Sequence, residues 1–171
     1  MKSSRLLSLA LVFAAMPAIA AELAVKIEIP QLPVAEYHRP YVALWLEKAD
    51  TAQVTQLAVW YDQKKRDNGG AKWLKDLRQW WRKGGRDLDV PVDAVSSATR
   101  APGLHTLTFV AGKAPIDKLV AGDYTLLVEA AREGGGRELV RLPVVWPPKE
   151  VRTASAKGLE ELGNVTLQLK P

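Results

Sequence analysis

Residues 41–61 read YVALWLEKADTAQVTQLAVWY and hold two short apolar segments separated by six polar or small residues. The first segment, Tyr41–Glu47, is apolar on both faces, which predicts a central β-strand. The second segment, Val54–Tyr61, is predicted to be the next strand, because residues 48–53 have a length that suits a hairpin loop. The stretch therefore predicts two neighbouring antiparallel strands at the centre of a sheet.

Further strand patterns lie on both sides of this hairpin. Residues 22–29 alternate between large apolar and small or polar side chains and end at Pro30, as expected of a half-buried strand. Seven short strands without alternating helices predict a mainly β fold, an immunoglobulin-like antiparallel β-sandwich. Turns containing glycine or proline separate the remaining four candidates, which are residues 104–110, 123–130, 138–145 and 165–169.

The region between the third and fourth strands has a helical rather than a strand periodicity. Gly84 and Gly85 follow this region and are typical of a helix end. One amphipathic helix, about residues 71–83, is therefore predicted as an insertion into the sandwich. The apolar residues that share one face of this helix are Trp73, Leu74, Leu77, Trp80 and Trp81.

The predicted helix lies in the most basic part of the chain, with nine basic and five acidic residues between positions 62 and 89. One interpretation is a docking surface for an anionic partner such as phosphate, an acidic protein or lipid headgroups. The other is a solvated helix whose tryptophans pack on the sandwich, and five apolar residues at helical spacing favour it. The basic residues predicted to point away from the tryptophans are Lys75, Arg78, Arg82 and Lys83.

The N-terminal region has the features of a secretory signal peptide. A short basic start precedes a mostly apolar run over residues 6–19, which is too short to anchor the chain in a membrane. Ala18-Ile19-Ala20 has the small residues that a signal peptidase recognises. We therefore expect residues 1–20 to be removed after Ala20, leaving a single domain over residues 21–171 in the periplasm.

The composition argues against several classes of catalytic site. The chain contains no cysteine, which excludes disulfides, thiolate metal sites and a cysteine nucleophile. Its two histidines, His38 and His105, form no metal-binding pair at helical spacing, and no hydrolase motif is present. The sequence thus predicts no catalytic residue and no metal ligand, so that an accessory or carrier protein is favoured over an enzyme.

One short motif does indicate a chemical function. Residues 93–99, DAVSSAT, resemble the acceptor motif of proteins that carry covalent FMN, Asp-x-x-(Ser/Thr)-Gly-Ala-Thr. In such proteins a periplasmic flavin transferase takes FMN from FAD and joins its phosphate to the final threonine. The resemblance implies that Thr99 is the acceptor and that the transferase recognises the residues before it, including Asp93, Ser96, Ser97 and Ala98.

Asp93 is expected to fix a local turn, and Ser96, Ser97 and Ala98 are small, as access by the transferase requires. One departure from the motif leaves a second interpretation open. Ser97 stands where the motif has glycine, and a positive φ at that position would disfavour serine. The alternative is that residues 93–99 form only a polar loop between the helix and the fourth strand.

Longer stretches of the chain resemble the DUF2271 family of predicted periplasmic proteins. Members of that family look like neighbours of flavin transferases and of PepSY-type membrane proteins associated with redox and metal uptake. The resemblance implies these two classes of partner for this chain. The matching pieces, in the order of the family, are residues 41–47, 73–80, 92–103, 121–125 and 128–133.

These observations support two hypotheses about function. The first is a periplasmic carrier of FMN bound at Thr99, which takes part in extracytosolic electron transfer. The alternative is a non-enzymatic, immunoglobulin-like accessory module that binds a membrane redox or metal-uptake system through the tryptophan-rich basic helix. Export from the cytosol argues against nucleic acid as a partner in either case.

Overall fold

The structure, a computed structural model, describes residues 20–171; the predicted signal peptide lies outside the described residues. Within them no helix has the length and apolar character needed to cross a membrane. The described chain forms nine strands and one short α-helix. In chain order these are β1 (Glu22–Ile29), β2 (Tyr41–Lys48), β3 (Val54–Tyr61), α1 (Arg78–Arg82), β4 (Ser96–Ala98), β5 (Gly103–Val110), β6 (Gly122–Ala131), β7 (Arg137–Trp146), β8 (Arg152–Lys157) and β9 (Asn164–Lys170).

The strands form two sheets, which confirms the prediction of a mainly β fold. One sheet has four strands in the order β5-β1-β9-β8, and the other has five in the order β4-β3-β2-β6-β7. All neighbouring strands are antiparallel except β3 and β4, which are parallel. Side chains from both sheets meet in one large hydrophobic core, to which β1, β2, β6 and β9 contribute alternate residues.

Seven of the nine strands match the predicted ones closely, including the central hairpin. The other two, β4 and β8, carry mainly small or polar side chains, so their sequences lack the apolar alternation that identifies a strand. Each lies at the end of its sheet within the described part of the chain. Residues 96–98 were predicted as part of a loop or an acceptor motif, and the structure adds that they pair with β3.

The outer face of the five-stranded sheet is covered by residues 62–95, which we call the inserted segment. Its buried side chains, among them Leu74, Leu77 and Trp80, contact Trp45 and Tyr61 of the sheet. They form a second hydrophobic core, separate from the one between the sheets. The tryptophans of this segment are thus partly packed on the sheet, as the second interpretation of the basic region expects.

The prediction of one continuous helix over residues 71–83 was wrong. Ala71–Asp76 form a 3-10 helix, Leu77 leaves helical geometry with ψ near 71°, and only Arg78–Arg82 form an α-helix. The backbone N–H groups of Gln79 and Trp80 donate to the carboxylate of Glu129 on β6, at 3.1 and 2.8 Å. In a continuous helix they would donate to carbonyls four residues earlier.

The break also changes which tryptophans are buried. Trp80 is fully buried, and its ring packs so closely on Gly85 that a Cβ there would overlap it. Gly84 follows with φ of +101°, which agrees with the predicted glycine end of the helix. Trp73, predicted to share the buried face, is 43% exposed. That prediction was wrong because the backbone break at Leu77 rotates the 3-10 helix relative to α1, so that Trp73 and Trp80 do not share one face.

Candidate functional site

The motif residues begin in a tight turn at the end of the inserted segment. The Ser96 hydroxyl accepts a hydrogen bond from the Val92 backbone N–H at 2.9 Å, and the Ser96 N–H donates to the Val92 carbonyl at 2.8 Å. Asp93 is exposed, and Ala94 has a positive φ of 61°. Ser96, rather than Asp93 as expected, therefore supplies the side-chain hydrogen bond that closes the turn.

Ser97 lies in extended backbone and not in the left-handed region. It is the middle residue of β4 and pairs with Trp60 of β3. The residues with positive φ in the described chain do not include it. The backbone at this position is thus compatible with serine, and the steric objection to the departure from the motif does not apply here.

Thr99 follows β4 directly and is half-buried. It lines a cleft with a volume of ≈ 250 Å³ on the outer side of the five-stranded sheet. The six residues before it in the motif, 93–98, do not line this cleft. Thr99 is therefore the one residue of the motif that lines this cleft.

Aromatic side chains form one part of the cleft wall. Trp73 is exposed, with the Lys65 Nζ 5.8 Å from its ring centroid. Tyr41 donates from its hydroxyl to the Gly70 carbonyl at 3.1 Å and contacts Tyr61 edge to face. These contacts hold Tyr41 in place, whereas one side of Trp73 faces solvent.

Charged groups form the rest of the wall. Arg132 forms a buried ion pair with Glu161, with its Nε and Nη2 at 2.9 and 3.1 Å from the two carboxylate oxygens. The Gly136 N–H also donates to Glu161, at 2.7 Å. Arg39 and Lys65 are exposed lining residues, and acidic residues, among them Asp62, also line the cleft. The cleft thus offers both cationic and acidic groups around its aromatic wall.

Tyr37 adds an unusual donor to the same cleft. Its hydroxyl oxygen is buried and has no hydrogen-bond partner among the described residues. Burial raises the pKa of Tyr37, so the hydroxyl keeps its proton at neutral pH. Because buried polar groups are normally hydrogen-bonded, this hydroxyl is a donor that no described residue uses.

Thr99 was predicted from the sequence, whereas the cleft was not. Tyr37, Trp73 and Arg132 come from three separate segments, and no fixed spacing in the sequence connects them. Arg132 lies in one of the pieces on which the family resemblance rests, and this is the only signal that could have marked it. Within residues 20–171 no group of three or more His, Cys, Asp or Glu side chains is arranged to hold a metal ion.

Comparison with known proteins identifies the family. A family model described as a predicted periplasmic protein (DUF2271) matches residues 22–164, from β1 to the start of β9. Searches of curated proteins and of solved structures found no similar protein. The match covers the strands from β1 to β8, the inserted segment and the cleft, and the chain belongs to the DUF2271 family of predicted periplasmic proteins.

Proposed function

We propose that this protein is a periplasmic carrier of FMN, attached by a phosphoester at Thr99, that takes part in extracytosolic electron transfer. The observation that carries the proposal is the position of Thr99 on a cleft with aromatic and cationic walls. The acceptor motif supplies the hydroxyl, and the cleft supplies a place for the cofactor beside it. An immunoglobulin-like sandwich is part of the same proposal, supported by two mainly antiparallel sheets around one core.

The surroundings of Thr99 suit an incoming transferase. Ala98 is exposed, Ser97 is small, and β4 is the last strand of its sheet within residues 20–171. The transferase would join the Thr99 Oγ1 to the phosphorus of the FMN half of FAD. The bond between the two phosphates breaks, AMP leaves, and the hydroxyl proton passes to a base on the transferase.

This chain would act as a holder and not as a catalyst. FMN, when bound, supplies the ability to accept and donate electrons. Thr99 would fix the cofactor, and the cleft would set its exposure. A flavin transferase and a PepSY-type membrane protein are the partners that we propose, and nucleic acid is not among them.

The test is co-expression with a flavin transferase followed by intact-mass spectrometry. The wild-type chain should gain the mass of one FMN less one water, and Thr99→Ala should gain nothing. Thr99→Ser keeps a hydroxyl and should retain part of the modification. Because Thr99 is only half-buried at the end of a strand, Thr99→Ala should leave the thermal midpoint nearly unchanged.

Two further variants test the recognition stretch. Ser97→Gly restores the usual motif and should raise the modified fraction, since the smaller residue gives the transferase closer access. Asp93→Ala should lower it by removing an exposed carboxylate from the recognition stretch. If neither the wild type nor Ser97→Gly is modified, the FMN proposal is wrong.

An unmodified chain would favour the alternative, a non-enzymatic accessory module. The observation behind that alternative is Trp73, an exposed tryptophan flanked by the exposed Lys72 and Lys75. Such a surface suits an acidic or membrane-bound partner. Loss of partner binding in Trp73→Ala, with unchanged stability, would then identify the contact.

A further inference from the structure

We infer that Trp73 and Tyr41 hold the isoalloxazine ring of the flavin in the cleft while its phosphate is joined to Thr99. This inference rests on the proposed function and adds where the ring lies and how much of it is covered. The ribityl chain is the only tether in such an adduct, so the ring must lie near Thr99. The cleft is the cavity that Thr99 lines.

The exposure of Trp73 is the first supporting observation. Among the large apolar side chains that are exposed in the described chain, Trp73 is the only aromatic one. An indole ring prefers to pack against another flat ring in an offset or tilted arrangement. The Lys65 Nζ lies over this ring, 5.8 Å from its centroid, but no aromatic side chain of the described residues pairs with Trp73, so a flavin ring would supply a flat partner.

The polar groups of the cleft provide the second observation. An isoalloxazine ring has an apolar benzenoid end and a pyrimidine end with two carbonyl oxygens, which accept hydrogen bonds. The exposed side chains of Lys65 and Arg39 line the cleft and are hydrogen-bond donors, and the buried hydroxyl of Tyr37, another lining residue, has no partner among the described residues. The cleft thus matches both ends of the ring with apolar and donor groups.

The size of the cleft determines how far the ring is covered. Its volume of ≈ 250 Å³ lies just below the range of about 300–1,000 Å³ that is usual for sites enclosing whole small molecules. The cleft would therefore enclose part of the ring and leave an edge at the surface. An open edge is what an electron-transfer partner needs in order to approach the flavin.

The experiment compares three chains co-expressed with a flavin transferase: wild type, Trp73→Ala and Trp81→Ala. Trp81 is the matched control, because it is a tryptophan of the same segment, packs on Trp80 and does not line the cleft. Intact mass first gives the modified fraction of each chain. Flavin fluorescence per attached flavin, its anisotropy and its quenching by iodide are then measured.

In the wild type and in Trp81→Ala we expect weak fluorescence, high anisotropy and limited iodide quenching, since tryptophan stacked on a flavin quenches its emission. Trp73→Ala should raise the emission several-fold and increase iodide quenching. Equal fluorescence and quenching in all three modified chains would place the ring outside the cleft, although the attachment at Thr99 would stand. Absence of the added mass in both wild type and Ser97→Gly would overturn the attachment and this inference together.

Discussion

Replacing Glu129 with glutamine is expected to weaken the attachment of the inserted segment to the sheet. Glu129 lies on β6 and is fully buried. Its Oε1 accepts a hydrogen bond from the Gln79 N–H and its Oε2 one from the Trp80 N–H. The Arg137 Nε is 3.6 Å from Oε1. One carboxylate therefore binds two backbone groups and lies beside one cation.

The size of the effect follows from the hydrogen-bonding capacity of the two side chains. Glutamine keeps one acceptor oxygen, and its NH₂ group cannot accept the second backbone N–H. Hydrogen bonds to a charged group contribute about 1.5–3 kcal/mol each. Removing a buried charge relieves some desolvation, which offsets part of this loss. We expect Glu129→Gln to lower the free energy of unfolding by about 1–3 kcal/mol.

Urea unfolding at neutral pH, followed by tryptophan fluorescence and circular dichroism, measures this difference. Glu150→Gln is the control, because Glu150 is an exposed carboxylate whose one ion pair within residues 20–171 is with Arg152 at the surface. Its effect should stay within about ±0.5 kcal/mol. If Glu129→Gln is as stable as the wild type, the two hydrogen bonds do not hold the segment in place and the reasoning is wrong.

Three more predictions concern buried groups. Burial raises the pKa of Glu129, so the native state binds the proton of this carboxyl group more tightly than the unfolded state does. The resulting contribution to stability is complete below the unfolded pKa and is lost as pH rises through the folded pKa. Glu129→Gln should remove this part of the pH dependence of unfolding. Trp80→Ala should lower the free energy of unfolding in urea by about 3–5 kcal/mol. Arg82→Glu, on the exposed side of α1, should change it by no more than about ±0.5 kcal/mol. Equal effects of the two substitutions would contradict the burial of Trp80 described above. Arg132→Met leaves the Glu161 carboxylate buried without its ion-pair partner and should lower the free energy of unfolding in urea by about 3–5 kcal/mol. An unchanged free energy of unfolding would show that the ion pair is dispensable for stability.

The strands of the main core could be predicted because each carries large apolar side chains at a period of two. The break at Leu77 could not, because its cause is a carboxylate 49 residues from Trp80 in sequence. A local pattern reports which residues are apolar but not which distant group binds a backbone N–H. The exposure of Trp73 could not be predicted from the sequence for the same reason.

The candidate site was also only partly predictable from the sequence. Thr99 was predicted from a contiguous seven-residue motif, which needs no tertiary information. Its neighbours Tyr37, Trp73 and Arg132 are brought together only by the fold, since they lie in the β1–β2 connection, the inserted segment and the β6–β7 turn respectively. Their contribution to a common cleft is a property of the fold and has no counterpart in local spacing.

The second hydrophobic core has a consequence for the dynamics of the protein. The inserted segment contributes to that core and not to the one between the sheets, so it can open as a cooperative unit while the sheets stay folded. Such an opening would uncover Trp45 and Tyr61 and remove Lys65 and Trp73 from the wall beside Thr99. Amide hydrogen exchange in this segment would then report the opening free energy that governs access to the cleft.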